Sequence, residues 1–452
     1  MDSSHAPNER EDNDHDSNEE QNDAAGGEER RRSEGAAPQP TADPGCLSNT
    51  RDPSSLIEIE TEGCQTLRVS GGIDWFEWFA YYNWEDTKTF EAAIALFQAA
   101  KKRCQEKRIP FVEVIVPGYG PVRVHRHGFN RGGDRGQHYE YKIDIGGAML
   151  GVATRNVTPQ QAEHAIWKRQ PNVAYQQTGR HCLLVGVYEG YERAQAFLSA
   201  IGGRRLKECL SRVDLCLDIP DLPVQELLAL VERHCVITRA TTVRPHENLL
   251  NGERSGFSAG KSPLYLTVYD KVREQFGKAD ALYLQALEQR RWGGRFPTTA
   301  ARIEYQLGRN KLRDLNIDSP SDFLNQRGRL TGYLTDEWFR LTAEPVDSEN
   351  KHQSRATVHP LWQSIQKAFA AIFGPPEAPL PPLDRTKVEP IQLAAQARGC
   401  LLGCLLQMGV EFSSYSQFAT KAGDLLFSLF LSPEGRQEFM YHAHKRRMDF
   451  EG

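Results

Sequence analysis

Alternation of apolar and polar residues between Leu56 and about Asn316 predicts short strands with helices between them. The stretch 73–82, IDWFEWFAYY, has the aromatic content of a strand that is buried on at least one face. Residues 87–104 instead place their apolar side chains at helical spacing. Because strands and helices are interspersed in this way, the sequence predicts an α+β fold, an antiparallel or mixed sheet with flanking helices.

Other segments extend this pattern along the chain. Further strands are predicted at 111–118, 121–127, 139–146 and 212–220, and further helices at 191–202 and 223–235. The glycines of the segments 116–121 and 129–137 fit hairpin turns, since neither segment has the G-x-x-x-x-G-K-[ST] spacing of a phosphate-binding loop. No intrinsic helicase activity is therefore expected.

After about Asp318 helical periodicity dominates, and a Pro-rich linker, PPEAPLPPLD, covers 375–384. The chain is therefore expected to have three parts. They are a disordered acidic tail (1–52), a core of strands and helices (53–317) and a helical C-terminal region (318–452).

Charge is unevenly distributed between these parts. The first 50 residues hold 13 acidic and four basic side chains, which leaves a net charge of about +4 on the rest of a chain whose total is −5. Between Arg239 and Arg313 there are 14 Lys or Arg residues against seven Asp or Glu. Such a basic region suits a partner that carries phosphates, although an ordinary solvated surface explains it as well.

Several classes of protein are disfavoured by composition. No apolar run approaches the roughly 20 residues of a membrane helix, and the N-terminus lacks the apolar stretch of a signal peptide. A cytoplasmic protein without a membrane partner is expected. The nine cysteines include no CxxC pair, which favours free thiols over zinc ligands or disulfides.

Three strand-like segments bring polar side chains into apolar surroundings. Because successive strand residues point to opposite faces, 212–218 would place two aspartates and an arginine on one face. The same alternation aligns Tyr265, Tyr269 and Lys271 in the second segment and charged residues in the third, 302–307. The predicted cation ligands are Asp214, Asp218 and Glu304, and the predicted phosphate-binding side chains are Arg302, Lys271 and Lys261.

If these strands are neighbours, their shared face suits attack by a tyrosine on a phosphodiester that is polarised by Mg²⁺ or Mn²⁺. The same residues also fit the solvated face of an amphipathic sheet. Alternation by itself leaves both Tyr265 and Tyr269 as candidate nucleophiles.

Four motifs in order resemble the Rep_trans replication-initiation-factor family, which includes initiators of rolling-circle plasmids and filamentous phages. They are GIDWF (72–76), RVDLCLDI (212–219), GFSAGKSPLYLTVYDK (256–271) and ARIEYQL (301–307). The resemblance spans roughly residues 70–316, and the segments outside it match nothing in the family. In this family the tyrosine before an Asp-Lys pair is the nicking nucleophile, which implies Tyr269. An Ala-Gly pair precedes Lys261 where the family pattern has Gly-Ser.

The resemblance implies a site-specific nicking and rejoining enzyme that forms a 5′-phosphotyrosyl intermediate and frees a 3′-hydroxyl to prime a polymerase. It assigns both catalysis and DNA binding to the core, 53–317. It also implies phosphate contacts from Ser262 and Arg212, a cation held by Asp214, Asp218 and Glu304, origin DNA as partner, a homodimer, and cooperation with a host helicase and polymerase. Two alternatives stay open: an initiator or regulator that binds DNA without nicking it, and a structural protein whose charged sheet face is solvated.

Two other groups of residues have alternative interpretations. His125 and His127 are spaced like the metal-binding pair of other rolling-circle nucleases, but Arg126 replaces the bulky apolar residue between them, which favours surface histidines. The indoles of Trp75, Trp78 and Trp84 could stack on unpaired bases, although their apolar surroundings favour the core.

Overall fold

A computed structural model describes eight segments of the chain: 56–60, 66–131, 137–159, 171–247, 254–278, 280–346, 355–376 and 390–431. The predicted acidic tail and most of the predicted Pro-rich linker lie outside these residues.

A large antiparallel sheet forms the centre of the fold. Its path is β12-β13-β14-β15-β10-β2-β9-β8-β7-β4-β3, with β1 paired to β2 beside the path. The strands are β1 Ile57–Glu60, β2 Thr66–Trp84, β3 Phe111–Val116, β4 Gly120–His125, β5 Phe129–Arg131, β6 Gln137–Tyr139, β7 Tyr141–Asp144, β8 Met149–Val152, β9 Val173–Gln177, β10 Gly203–Pro220, β11 Val236–Thr238, β12 Val243–Glu247, β13 Arg254–Lys261, β14 Leu264–Asp270, β15 Ala300–Gly308 and β16 Phe339–Leu341.

Helices that end by residue 373 flank this sheet, and two further helices follow later in the chain. They are α1 Thr87–Lys107, α2 Gly179–Val185, α3 Val187–Ala200, α4 Val224–Glu232, α5 Lys271–Gln275, α6 Ala281–Arg291, α7 Arg309–Asp314, α8 Pro320–Gly332, α9 Pro360–Phe373, α10 Pro390–Gln407 and α11 Tyr415–Leu431, with a π-helical turn at Tyr333–Trp338. The antiparallel sheet and its flanking helices confirm the predicted α+β class. None of the helices in the described segments is long and apolar enough to span a membrane.

The two central strands, β2 and β10, pair along most of their length, and a register shift interrupts the pairing near Asp74. Trp75 lies opposite Asp214 and Ile73 opposite Leu215, so Asp74 is an extra residue on β2. Such a β-bulge changes where side chains point. Here it places Asp74 beside Trp75 on the face that carries Asp214.

The two faces of the sheet around β10, β14 and β15 differ in character. On one face Leu217, Ile303 and Val268 are fully buried in the main core, where Tyr305 meets Phe369 of α9 at a ring distance of 5.8 Å. Burying a side chain of this size contributes about 1.5–3 kcal/mol. The opposite face carries the polar side chains of the three predicted segments, and α2, α5 and α6 cover one end of it.

A small apolar cluster holds these covering helices in place. It comprises Leu183, Val272, Tyr283, Ala286, Leu287, Trp292 and Ala300. Arg290 adds two hydrogen bonds from its Nη1 atom to the carbonyl oxygens of Leu183 and Leu184, at 2.7 and 2.9 Å. The cover therefore consists of α2, α5 and α6, and these hydrogen bonds join α6 to α2.

The last two described helices, α10 and α11, pack against each other through Leu405, Phe418 and Ala422. Helices dominate the region after Asp318, as predicted, but the strand β16 interrupts them and pairs with β11. A strand of three residues is too short for alternation to reveal it.

Candidate active site

The three predicted polar segments are hydrogen-bonded neighbours in the order β14-β15-β10. Tyr269 lies opposite Arg302, which in turn lies opposite Asp218. In the next row of the same face, Glu304 lies between Thr267 and Cys216. Since directly paired residues share a face, the sheet brings Tyr269, Arg302, Glu304 and Asp218 together.

The hydroxyl of Tyr269 has two polar neighbours. It donates a hydrogen bond to Oε2 of Glu304 at 2.8 Å, and Nζ of Lys271 lies 3.5 Å from the hydroxyl oxygen of Tyr269. Burial and the nearby carboxylates raise the pKa of Tyr269 well above its usual value, although Arg302 opposes this. The phenol is therefore neutral and needs a base to become a nucleophile.

Asp270 explains how Lys271 reaches this tyrosine. The strand ends at Asp270, whose carboxylate accepts hydrogen bonds from the backbone N–H groups of Val272 and Arg273 and so caps α5. Lys271 is thus the first residue of a helix. Alternation had instead predicted it as the last residue of the strand. It is 5% exposed and forms an ion pair with Glu274 at 2.9 Å, and burial together with the charge of Arg302 lowers its pKa.

Arg302 is fully buried between two carboxylates. Its Nε and Nη2 atoms donate to Asp218 at 2.5 and 2.7 Å, and its Nη1 atom lies 3.1 Å from Oδ1 of Asp74. Two parallel bonds of this kind hold the guanidinium rigidly. Arg302 is therefore placed to organise acidic side chains, and a DNA phosphate would have to compete with Asp218 to bind it.

A second pair of an arginine and an aspartate lies on the same face, nearer to solvent. Arg212 donates to both oxygens of Asp214 at 2.9 and 2.6 Å, and to Gln306 at 3.0 Å. Its guanidinium lies 4.6 Å from the ring centroid of Trp75. Arg212 is about 31% exposed, so it remains accessible to a phosphate at the edge of the site.

Asp74 and Glu304 form an acidic pair whose pKa values shift in opposite directions. Burial alone would raise the pKa of Asp74, but the charges of Arg302, Lys271 and Arg291 bring it below the usual value. Burial and the negative charge of Asp74 raise the pKa of Glu304. A carboxylate with a raised pKa is the better proton acceptor, and Glu304 is the one that contacts Tyr269.

Sequence reasoning missed Asp74 and also Arg291. One feature of the sequence could have identified Asp74: it is an acidic residue within an otherwise aromatic and apolar strand, in the GIDWF motif. Close approach of Gly179 also marks this position, because a Cβ on Gly179 would lie 2.9 Å from Oδ2 of Asp74. No feature of the sequence indicated that Arg291 is buried, since the run EQRRW resembles a solvated helix end.

Arg291 is 2% exposed, yet none of its three guanidinium nitrogens has a hydrogen-bond partner in the described part of the chain. Its charge lowers the pKa of Asp74, which places it close to the acidic pair. An unsatisfied buried guanidinium costs several kcal/mol, so it indicates a missing partner. An anion in the site would supply that partner.

Other predicted site residues lie farther away. Lys261 and Ser262 are at the opposite end of the β13–β14 hairpin, where Lys261 pairs with Leu264, about 17 Å along the strand from Tyr269. They can reach only a different phosphate from the one that Tyr269 would attack. Trp78 and Trp84 are buried in the core, and of the three tryptophans only Trp75 faces the site.

The predicted cation ligands differ in how well they fit Mg²⁺ or Mn²⁺. Asp214 and Asp218 each accept two hydrogen bonds from an arginine, so a positive charge already neutralises each of them. Within the described segments no three His, Cys, Asp or Glu side chains form a ready metal cluster. Asp74 is contacted by Arg302 through Oδ1 alone, at 3.1 Å, and Glu304 accepts a hydrogen bond from Tyr269. These two carboxylates fit better, because Mg²⁺ commonly uses one or two carboxylates and takes its other ligands from water and substrate phosphate.

Comparison with known proteins gives limited information. No protein-family model matches the chain, and no curated protein is similar in sequence. One similar solved structure is a rolling circle replication initiator protein from Geobacillus stearothermophilus, with 13% identity and a TM-score of 0.36, over 69% of this chain and 100% of that one. At this level of similarity the comparison assigns neither family nor activity, so any functional conclusion depends on the residues themselves.

Proposed function

We propose that this protein initiates rolling-circle DNA replication by nicking one strand, with Tyr269 as the nucleophile and a divalent cation as cofactor. The observation that carries the proposal is the contact of one hydroxyl with both an acid and a buried ammonium group. Tyr269 donates to Glu304 at 2.8 Å while Lys271 lies 3.5 Å away. A tyrosine that served only the packing of the sheet would need neither neighbour.

The proposed reaction has two steps, nicking and rejoining. Glu304 accepts the proton of Tyr269, the phenolate oxygen attacks phosphorus, and the bond from phosphorus to the 3′ oxygen breaks. The phosphate stays on Tyr269 as a 5′-phosphotyrosyl group, and the 3′ oxygen takes a proton from the Lys271 ammonium group or from water. Rejoining is the reverse reaction, in which the 3′-hydroxyl attacks the phosphotyrosine and restores Tyr269.

Three features supply the charge that this reaction needs. Lys271 stabilises the tyrosinate, and Arg291, whose guanidinium has no hydrogen-bond partner among the residues that the structure describes, binds the attacked phosphate. A Mg²⁺ or Mn²⁺ ion held by Asp74 and Glu304 would polarise the phosphodiester. Arg212 above Trp75 is suited to a neighbouring phosphate and base of the same strand.

Covalent capture tests the proposal without knowledge of the recognised sequence. The full chain is incubated with a pool of randomised single-stranded oligonucleotides and Mn²⁺, and a denaturing gel then detects protein that carries DNA. We expect an adduct, no adduct when EDTA is present from the start, and nucleotide mass on the tryptic peptide that contains Tyr269.

The variant Tyr269→Phe should form no adduct, whereas Tyr265→Phe should behave like the wild type. Tyr265 is a matched control because it lies on the same strand and face but opposite Gln306. An adduct that survives in Tyr269→Phe would remove this residue as nucleophile. Salt-dependent binding of DNA without any adduct would instead support an initiator that binds DNA without nicking it.

A further inference from the structure

A cavity of about 380 Å³ lies where α1 and β4 end. In the strand order, β4 is near the edge of the sheet opposite to β14, which carries Tyr269. It is lined by Arg108, Ile109, Pro110, His125, Arg126, His127, Gly128 and Lys142, which we call the basic pocket. Every charged side chain in this lining is cationic. The His125-Arg126-His127 segment, whose spacing resembles that of a metal-binding histidine pair, forms one wall.

The cations of the basic pocket lack counter-charges within the described residues. No ion pair is found there for Arg108, Arg126 or Lys142. Arg123, on the same strand as His125, lies instead between Glu113 at 3.8 Å and Asp144 at 3.9 Å. The absence of carboxylates is therefore specific to the pocket and not general to this edge of the sheet.

The histidine in the wall also lacks a partner. Nε2 of His125 is buried and has no hydrogen-bond partner in the described structure. Burial and the positive charges of Lys142 and Arg123 lower the pKa of His125, while Asp144 opposes them. Asp144 is itself engaged, since it accepts a hydrogen bond from the N–H of Gly146 at 2.8 Å.

The fold offers one compensating charge. The last carbonyl groups of α1 carry about half a negative charge, and Arg108 caps this helix end. Half a charge does not balance three cations, and a metal ion would add to their repulsion. An anion fits the pocket, and a cation does not.

We infer that the basic pocket binds a backbone phosphate of DNA, at a point away from the nick. This assignment of the polymer rests on the proposed function. β4 is seven strand spacings from β14 in the sheet, on the order of 30 Å measured along it. That separation is close to one turn of duplex, about 34 Å, so the bound phosphate is not the one that Tyr269 attacks.

The test uses the full-length double variant Arg126→Gln/Lys142→Gln and a duplex of about 30 base pairs. Loss of one phosphate contact should lower the slope of log affinity against log salt by about one, and should weaken binding about tenfold at moderate salt. The matched control is Arg123→Gln, which removes an equally basic but paired side chain and should leave the slope unchanged.

Two further measurements separate this inference from the proposed function and from other phosphate ligands. At saturating oligonucleotide the double variant should form the Tyr269 adduct at the wild-type rate, because the basic pocket lies away from the nick. Adduct formation therefore tests the nicking proposal, and the salt slope separately tests phosphate binding in the basic pocket. Titration with inorganic phosphate should show weak binding that duplex DNA displaces. Two results would overturn the inference: an unchanged salt slope in the double variant, or phosphate binding that DNA does not displace. If the double variant is unstable, the single variant Lys142→Gln gives the same test.

Discussion

The active-site face and the basic pocket use arginine in opposite ways. Arg302 is fully buried and held by Asp218 and Asp74, whereas Arg126 is only partly buried and has no acidic partner in the described structure. Burying a charge costs several kcal/mol unless it is paired, but a partly exposed charge keeps its water. Balanced charge therefore fixes the geometry of a site, and unbalanced charge at the surface attracts a partner.

Arg291 breaks this rule within the candidate active site itself. It is 2% exposed, but its guanidinium nitrogens have no hydrogen-bond partner among the described residues. In the proposed function, the attacked phosphate would supply that partner. Three substitutions test this contrast between paired and unpaired charge.

The largest effect is expected for Glu304→Gln. Removal of the proton acceptor should slow adduct formation at Tyr269 by about 10²–10⁴-fold at saturating Mn²⁺, a condition that limits any contribution from weaker metal binding. Stability should be retained, because glutamine removes a charge that burial and the repulsion of Asp74 both disfavour, as the raised pKa of Glu304 indicates. Rates from single-turnover adduct assays provide the measurement, and a wild-type rate would exclude Glu304 as the base.

The next effect concerns Arg302→Met, which leaves Asp218 buried without its partner. We expect a loss of about 3–5 kcal/mol in the free energy of unfolding, measured with urea. Arg126→Met in the basic pocket is the control and should change stability by no more than about 0.5 kcal/mol. Equal losses in the two variants would contradict the distinction between the sites.

The smallest effect, with the opposite sign, is expected for Arg291→Met. Replacement of an unsatisfied guanidinium by an apolar side chain of similar length should stabilise the free protein by about 1–3 kcal/mol. Adduct formation should nevertheless become slower, because the attacked phosphate loses a cation. Loss of both stability and activity would show that Arg291 has a structural role.

Parts of the active site followed from sequence because they depend on short-range geometry. Alternation correctly placed Tyr269 on the face of β14 that carries Tyr265, away from buried Val268. Asp74 escaped the same reasoning, because a bulge inserts one residue and changes the alternation at that point. No local pattern reveals such an insertion, since the partner strand β10 lies more than 100 residues farther along the chain.

Charge patterns were less informative than alternation. The excess of basic residues at 239–313 indicated a phosphate-bearing partner, yet the basic pocket comes from 108–142, where the sequence showed only a histidine pair. Arg126 and Arg123 look alike in the sequence. Only their neighbours in space separate them, because the pairing of β4 with β3 and β7 gives Arg123 two carboxylates and gives Arg126 none in the described residues.

The sequence by itself determined the α+β class, the three polar strand segments and the set of side chains on each face, because strand periodicity is a local property of the backbone. The tertiary structure decided which of those side chains meet. It opposed Arg302 to Tyr269, committed Asp218 to that arginine, added Asp74 through a bulge and left Arg291 without a hydrogen-bond partner in the described segments. Strand register and burial depend on contacts between distant segments, and those contacts determine whether a charge is neutralised or available for an anion.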